Sequence, residues 1–434
     1  MTVTRGELAS LTTTGRDPLG ILHRQNTTRE QWLIPLRMAR MAQSPFTFYR
    51  GTAALMAADQ ARDPHSGIPV VSSGDAHLSN FGFYATPQRT QAFDLNDFDE
   101  SAWAPWDWDL KRLVTSVIIG GRDTDRSEKV VQTAAADTIR AYVASLRTSD
   151  QHSPLERYYS HFNQEMARRH LGKESRRVLE QAAEDARKRT SARAARRLTE
   201  ETTDGRRRFI EDPPVMTHVA DEVELNVADN YQQYLRSAKA DIRMVLAHYT
   251  LEDIVRRVVG VGSVGTRCFL VLLRDADGGV IILQVKEAMR STLEEYGGIP
   301  QPGVLTESTE AVGEGARVVG LQRILQAYSD PFLGFLQSSR GRSFYVRQYH
   351  DMKGSVEIPE LSDTAFNGYA IACGAVLARA HAQSVNARKV VSFIGGGKRI
   401  RRAILEWSNG YAELSLDDYR AFISSGMVDK KKDG

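Results

Sequence analysis

Two short runs carry the residue types best suited to chemistry: Gly74-Asp75-Ala76-His77-Leu78-Ser79-Asn80 and Asp94-Leu95-Asn96-Asp97-Phe98-Asp99. Their side chains place hard oxygen donors close together in the chain. Such oxygens suit a hard cation, and an adjacent Asp can orient or deprotonate an attacking hydroxyl. The combination predicts a phosphoryl-transfer site. Either run alone is equally a source of turns and caps, because Asp and Asn bond readily to their own backbone; the pairing carries the reading. Ile68 to Val71 and Thr90 to Phe93 read as short strands leading into the runs, and residues 81–89 as part of a hairpin between them. That arrangement would set both runs side by side at one strand edge.

A distant segment supplies a different element. Val258 to Arg267 contains Gly260, Gly262, Ser263 and Gly265; an apolar run from Phe269 to Leu273 follows, then a turn, then Ile281 to Glu287 with Lys286 near its end. Glycines let backbone amides approach phosphate oxygens without interference from Cβ, and a lysine at a strand end can neutralise phosphate charge. The Asp-Gly and Gly-Gly steps between Asp275 and Gly279 favour a hairpin. The rival reading is a dinucleotide-binding turn, which should open a helix. Cys268 to Leu273 is instead suited to a strand, and this favours a glycine loop between two strands.

The spacing of Asp75 and Asn80 resembles the catalytic loop of the protein-kinase superfamily, especially its aminoglycoside-phosphotransferase-like branch. The resemblance implies that Asp75 is the catalytic base or hydroxyl-orienting residue, Asn80 a metal ligand and Asp97 the principal Mg2+ ligand, with Asp99 beside it. It also implies ATP as the second ligand. Two departures stand out. Ser73-Gly74 replaces the histidine that usually precedes the catalytic Asp, and His77 follows it instead, as a site residue or a structural histidine bonded to the loop. Asp94 competes with Asp97 for the metal role. Trp106 to Leu113 resembles the helix start that braces such a loop, with Asp109 in the supporting position, a role compatible with N-capping. Glu310 and Glu314 are the candidate acidic partners for Lys286, and Tyr345, Val346, Arg347 and Gln348 are expected beside the adenine.

The order of these blocks is unusual, since the glycine loop and lysine follow the catalytic runs by well over a hundred residues. Residues 367–384 repeat an apolar stripe through Tyr369, Cys373, Leu377 and His381 and resemble the helix that ordinarily leads into the catalytic loop. A circular permutation accounts for this order. The expected fold is α+β: a two-lobed, permuted kinase-like architecture with a small antiparallel-sheet lobe and a large, mainly helical one. Residues 1–250 would form the large lobe, 251–350 the small nucleotide-binding lobe, and 351–434 the helices completing the large lobe. As a whole the chain resembles an uncharacterised bacterial family placed with kinase-like proteins.

Composition sets the remaining bounds. A chain of 434 residues, 41% hydrophobic and 26% charged, can bury a substantial core, and its net charge of +3 does not call for nucleic acid or membrane. Two cysteines, Cys268 and Cys373, exclude a disulfide framework. No signal peptide, long apolar span or lipidation signature is evident, so the cytoplasm is expected. Residues 173–201 and Arg206 to Arg208 read as a solvated basic helix and loop; a nucleic-acid contact or a wall for an acidic substrate are the alternatives. Arg50 could meet phosphate or pair with a site carboxylate, and the tail from Asp429 is expected to fray. The expected activity is ATP- and Mg2+-dependent transfer of the γ-phosphate to a hydroxyl acceptor. A nucleotide-binding pseudokinase, an AMP-transferring relative and a metal-dependent phosphohydrolase compete with it.

Overall fold

The computed structural model describes residues 3–160, 172–218, 227–349 and 354–428, so the tail from Asp429 lies outside the described residues. The chain opens with four short helices: α1 (Pro18–Thr27), α2 (Ile34–Met41), α3 (Pro45–Arg50) and α4 (Ala53–Gln60). Proline early in α1, α2 and α3 suits helix starts, where its missing N–H costs nothing, and Ser44 completes a capping box on α3. Strands β1 (Pro69–Ser72), β2 (Phe81–Ala85), β3 (Gln91–Leu95) and β4 (Ala102–Pro105) follow. β1 pairs with β4, and β2 pairs with β3, both antiparallel. The two acidic runs therefore emerge side by side, in the turn after β1 and the turn after β3.

Helices α5 (Trp106–Arg122) and α6 (Glu128–Asp150) lead to α7 (Pro154–Tyr159), α8 (Lys173–Arg187) and α9 (Ser191–Leu198). The short pair β5 (Thr199–Glu201) and β6 (Arg207–Phe209) precedes β7 (Met216–His218), α10 (Val227–Ser237) and α11 (Ala240–Leu246). Then come β8 (Tyr249–Arg257), β9 (Cys268–Asp275) and β10 (Val280–Glu287), helices α12 (Thr292–Glu295), α13 (Gly303–Val312) and α14 (Glu314–Leu325), and strands β11 (Gly334–Gln337), β12 (Ser343–Gln348) and β13 (Gly354–Ser355). The chain closes on α15 (Asp363–His381), α16 (Ala387–Ile394) and α17 (Lys398–Ser424). The architecture is α+β, mainly helical, with small antiparallel sheets.

The largest sheet has six strands in the order β11-β12-β10-β9-β8-β7. Strand alternation divides its side chains between two faces. Leu273, Ile281, Leu283 and Val346 pack against Tyr234, Ile242 and Leu246 of α10 and α11. On the other face Val255, Leu270, Leu272 and Ile282 meet Ala194, Ala195 and Leu198 of α9, with Phe209 of β6. Each such large apolar side chain contributes roughly 1.5–3 kcal/mol by leaving water. This corrects two expectations. The basic stretch 173–201 is not wholly a solvated helix, because its C-terminal part forms a lid on the sheet. A boundary at 250 falls inside β8, and the helices and hairpin from α9 onward belong with the sheet.

The helical part is built on α5, α6, α15 and α17. Its core contains Trp106, Leu113, Val117, Ile139, Tyr369, Leu377 and Trp407, all buried. Gly374 on α15 lies against the Thr138 carbonyl of α6, where a Cβ would collide. Glycine therefore sets the close approach of these two helices. Helices α13 and α14 are separated only by Gly313, whose φ of 84° is a left-handed conformation. A Cβ at Gly313 would also strike Ser343, so steric fit and backbone both require glycine there. Among the described residues no helix is long and apolar enough to cross a membrane.

Candidate active site

Two elements hold the first acidic loop. Asp109, in the first turn of α5, accepts hydrogen bonds from the Ser73 and Gly74 amides at 2.6 and 3.0 Å, and His381 of α15 touches the same carboxylate at 3.1 Å. Tyr142 of α6 meets the other ring nitrogen of His381 at 2.8 Å. Three helices thereby fix a loop that otherwise has only turn geometry. Gly74 adopts a φ of 79° and lies so close to the Glu100 carbonyl that a side chain would not fit. The loops after β1 and β3 are thus pressed together.

Asp75 is oriented by an arginine. The Nε of Arg112 donates to Asp75 Oδ1 at 2.9 Å, and Nη2 lies 2.8 Å from the same oxygen. The Arg112 guanidinium in turn stacks on Tyr49, 3.9 Å from the ring centre. Burial raises the Asp75 pKa, and the raise persists against the opposing pull of Arg112. His77 is buried with Nε2 3.6 Å from Asp75 Oδ2, beyond hydrogen-bond range. Burial, then the charges of Arg50 and Arg112, pushes its pKa well below the ordinary histidine value, so the ring is neutral at pH 7. Asn80 donates its amide to the Asp75 carbonyl at 2.8 Å, which leaves Oδ1 as its ligand-capable atom.

Lys286 reaches across from β10. Its Nζ lies 2.6 Å from Asp99 Oδ2 and 3.7 Å from Asp97 Oδ1. Burial alone would favour the neutral amine, but Asp97 and Asp99 outweigh it and hold the pKa well above the ordinary lysine range. Tyr345 of β12 donates to the other Asp99 oxygen at 2.6 Å. Both oxygens of Asp99 are therefore engaged by protein, so a metal there would share them with Lys286 and Tyr345. The expected acidic partners of Lys286 are displaced: Glu310 is exposed, and Glu314 pairs with Arg317. Arg317 clamps the second acidic loop through the carbonyls of Ser101 and Asp99, the latter at 3.0 Å, and ties it to the Met289 carbonyl just beyond β10 at 2.7 Å. Asp94 is buried and accepts from the Ala327 amide at 2.9 Å, anchoring the end of α14 away from the cleft. Asp97 remains partly exposed and lines the cleft.

The glycine loop joins β8 to β9 and faces these residues across one cleft. Asp75, His77 and Asn80 bound one side, Gly260, Gly262 and Ser263 the other, and Asp97 lies between. Gly265 and Lys286 stand outside the lining, so Lys286 acts on the cleft only through its two carboxylates. The loop is docked, not free. Val261 inserts among Leu22, Met38, Met41, Phe48 and Phe422, and Val264 packs on Leu33. Arg40 donates to the Gly260 carbonyl and Arg29 to that of Val264, each at 2.6 Å, while the Glu30 amide donates to that of Gly265 at 2.8 Å.

The free volume, about 120 Å³, is below the roughly 300–1,000 Å³ of small-molecule sites. The residues expected beside adenine have partners within the protein: Arg347 bonds Gln284 at 2.9 Å and the Asn96 carbonyl at 3.4 Å, Val346 faces the opposite side of the sheet, and the Gln348 amide is held by Asp330 at 2.6 Å. Among the described residues no three His, Cys, Asp or Glu side chains converge on a common metal position. An oxygen pair from Asn80 and Asp97 is nonetheless compatible with Mg2+, which keeps several waters and takes much of its shell from substrate phosphates. Arg112, Glu100 and Arg29 were not singled out for these positions by sequence, whereas Arg50 was, as a residue that could meet phosphate or pair with a site carboxylate. The signal for Arg112 was its spacing, three residues after Asp109 and so on the same side of α5.

Fold and site together define an α+β protein whose acidic loops and glycine loop meet across a closed cleft. The chain belongs to a family described as an uncharacterised protein conserved in bacteria, DUF2252, whose model matches residues 29–425. No curated protein and no solved structure matches it.

Proposed function

We propose that this cleft transfers a phosphoryl group from a nucleotide to a hydroxyl acceptor, on a permuted, two-lobed, kinase-like scaffold. The observation that carries the reading is the Lys286–Asp99 contact, which joins residues 187 apart and brings the glycine loop over the Asp75–Asn80 loop. Arg112 fixes one oxygen of Asp75, leaving Oδ2 to take or orient the acceptor's proton. A carboxylate made more basic by burial suits that task. Neutral His77 adds shape and polarity beside it without adding charge.

Asn80 and Asp97 are the residues that would hold Mg2+, whose chemistry is to neutralise phosphate charge as the bond to the leaving group breaks. Lys286, Tyr345 and Arg317 keep the second loop in place, so Asp97 keeps its position relative to Asp75. Among the described residues the amides of residues 260–263 donate no hydrogen bond and are available to phosphate oxygens. A nucleotide enters once Val261 lifts from its apolar socket. The docked loop and the fully engaged Asp99 favour a second reading, a nucleotide-responsive regulator without transfer activity. Incubation with γ-labelled ATP, Mg2+ and a panel of hydroxyl acceptors separates the two. Label transfer that is lost in Asp75→Asn supports the enzyme; no transfer by the wild-type protein, with nucleotide bound, supports the regulator.

A further inference from the structure

Lys286, the residue sequence reasoning placed on phosphate, is spent on Asp99 and Asp97 and does not line the cleft. Two other cations do. Arg29, just beyond α1, and Arg50, the last residue of α3, both line it beside Gly260 and Ser263. The Nε of each is buried without a hydrogen-bond partner, and neither guanidinium is in ion-pair contact with a carboxylate among the described residues. Among the described residues Arg50 finds no hydrogen-bond partner for its side chain, while its own carbonyl lies against Gly262, where an added Cβ would come to 3.3 Å. Arg37, directly behind, is fully buried and bonds only neutral groups. Asp75 and Asp97 act on Arg50, and Glu100 and Glu287 on Arg29, only from beyond contact distance. Buried positive charge without a contacting counter-charge is costly, and the facing amides of residues 260–263 find no acceptor among the described residues. Donors on both walls therefore point to one missing partner, an anion. Planar guanidinium groups match the spacing of phosphate oxygens.

We propose that Arg29, Arg50 and the amides of residues 260–263 form an anion subsite that takes a phosphate group. The subsite adjoins the Asn80–Asp97 pair in the same cleft and draws its donors from other residues. The inference deepens the phosphotransferase reading by naming the cations that meet phosphate, yet it stands on unpartnered donors that would need an anion whatever the chemistry.

The test uses pyrophosphate with the full chain in EDTA, followed by calorimetry and by thermal melting. Wild-type protein should bind it saturably. Arg50→Gln, which breaks no hydrogen bond or ion pair among the described residues, should weaken binding at least tenfold, with Arg50→Lys intermediate because it restores charge without the fork. Asp97→Asn should bind at least as tightly as wild type. Arg29→Gln offers the same readout should an Arg50 variant fail to fold. Competition with EDTA omitted then identifies the source: Mg·ATP displacing pyrophosphate assigns the subsite to the nucleotide, and simultaneous binding assigns it to a phosphorylated acceptor. Either result upholds the subsite. Absence of pyrophosphate binding, or undiminished binding in Arg50→Gln, overturns it. Failure of the phosphotransferase reading would show separately, as absent label transfer with pyrophosphate binding intact.

Discussion

Replacing Asp99 by Asn tests how the second acidic loop is held. The substitution preserves shape but removes the charge facing Lys286, which is 3% exposed and keeps only Asp97 at 3.7 Å. Breaking a buried ion pair costs about 3–5 kcal/mol because the surviving charge stays desolvated. Asp99 itself is 23% exposed and Asp97 offers partial compensation, so the expected loss falls below that range, about 2–3 kcal/mol. With an unfolding entropy of about 2.1 cal/mol/K per residue, a chain of this size should lose about 3 °C in melting temperature. Urea denaturation and thermal melting read both quantities. The double variant Asp99→Asn/Lys286→Met should lose less than the sum of the single variants by about 2 kcal/mol, the signature of direct coupling. Glu310→Gln should be neutral. A stable Asp99→Asn with strictly additive double-variant behaviour would refute the pairing.

Three further outcomes follow from the geometry. Burial pushes Glu100 up to about 7 against the hydrogen bond from the Thr292 amide. Because the folded state holds that proton where the unfolded state has released it, stability should fall as pH rises from about 4.5 to 7, and Glu100→Gln should flatten that slope, gaining about 1–3 kcal/mol above pH 7 in urea melts. Asp109→Asn withdraws a charged acceptor from the Ser73 and Gly74 amides and should cost about 2–3 kcal/mol in the same assay; a change under 0.5 kcal/mol would contradict its bracing role. Val261→Ala removes about 1–1.5 kcal/mol of apolar contact that holds the glycine loop down. Up to about tenfold tighter apparent nucleotide binding is expected as the open state gains population, whereas unchanged affinity would remove the docked loop as a barrier.

The sequence made the local pieces legible because each has its own signature. β1, the β2–β3 hairpin and the β9–β10 hairpin carry short apolar runs bounded by turn residues, and the structure forms all of them. Asp109 was readable as a helix-start carboxylate, and it meets the Ser73 and Gly74 amides. Long-range partner choice left no such trace. Asp99 and Glu310 are equally acidic on paper, and only the packing of β10 against the second loop decides which one meets Lys286. The docking of Val261 among Leu22, Met38 and Phe422 depends on three segments far apart in the chain. Residues 173–201 misled because their arginine and glutamate content masks Ala194, Ala195 and Leu198, which suffice to cover one end of the sheet.

Isothermal titration of the full chain with Mg2+ and a non-hydrolysable ATP analogue addresses the cleft most directly. Saturable, Mg2+-dependent binding at one site per chain, weakened by about tenfold or more in Asp97→Ala, is the result the shared cleft requires. An analogue that fails to bind at millimolar concentration, or that binds equally well to Asp97→Ala and without metal, would contradict it.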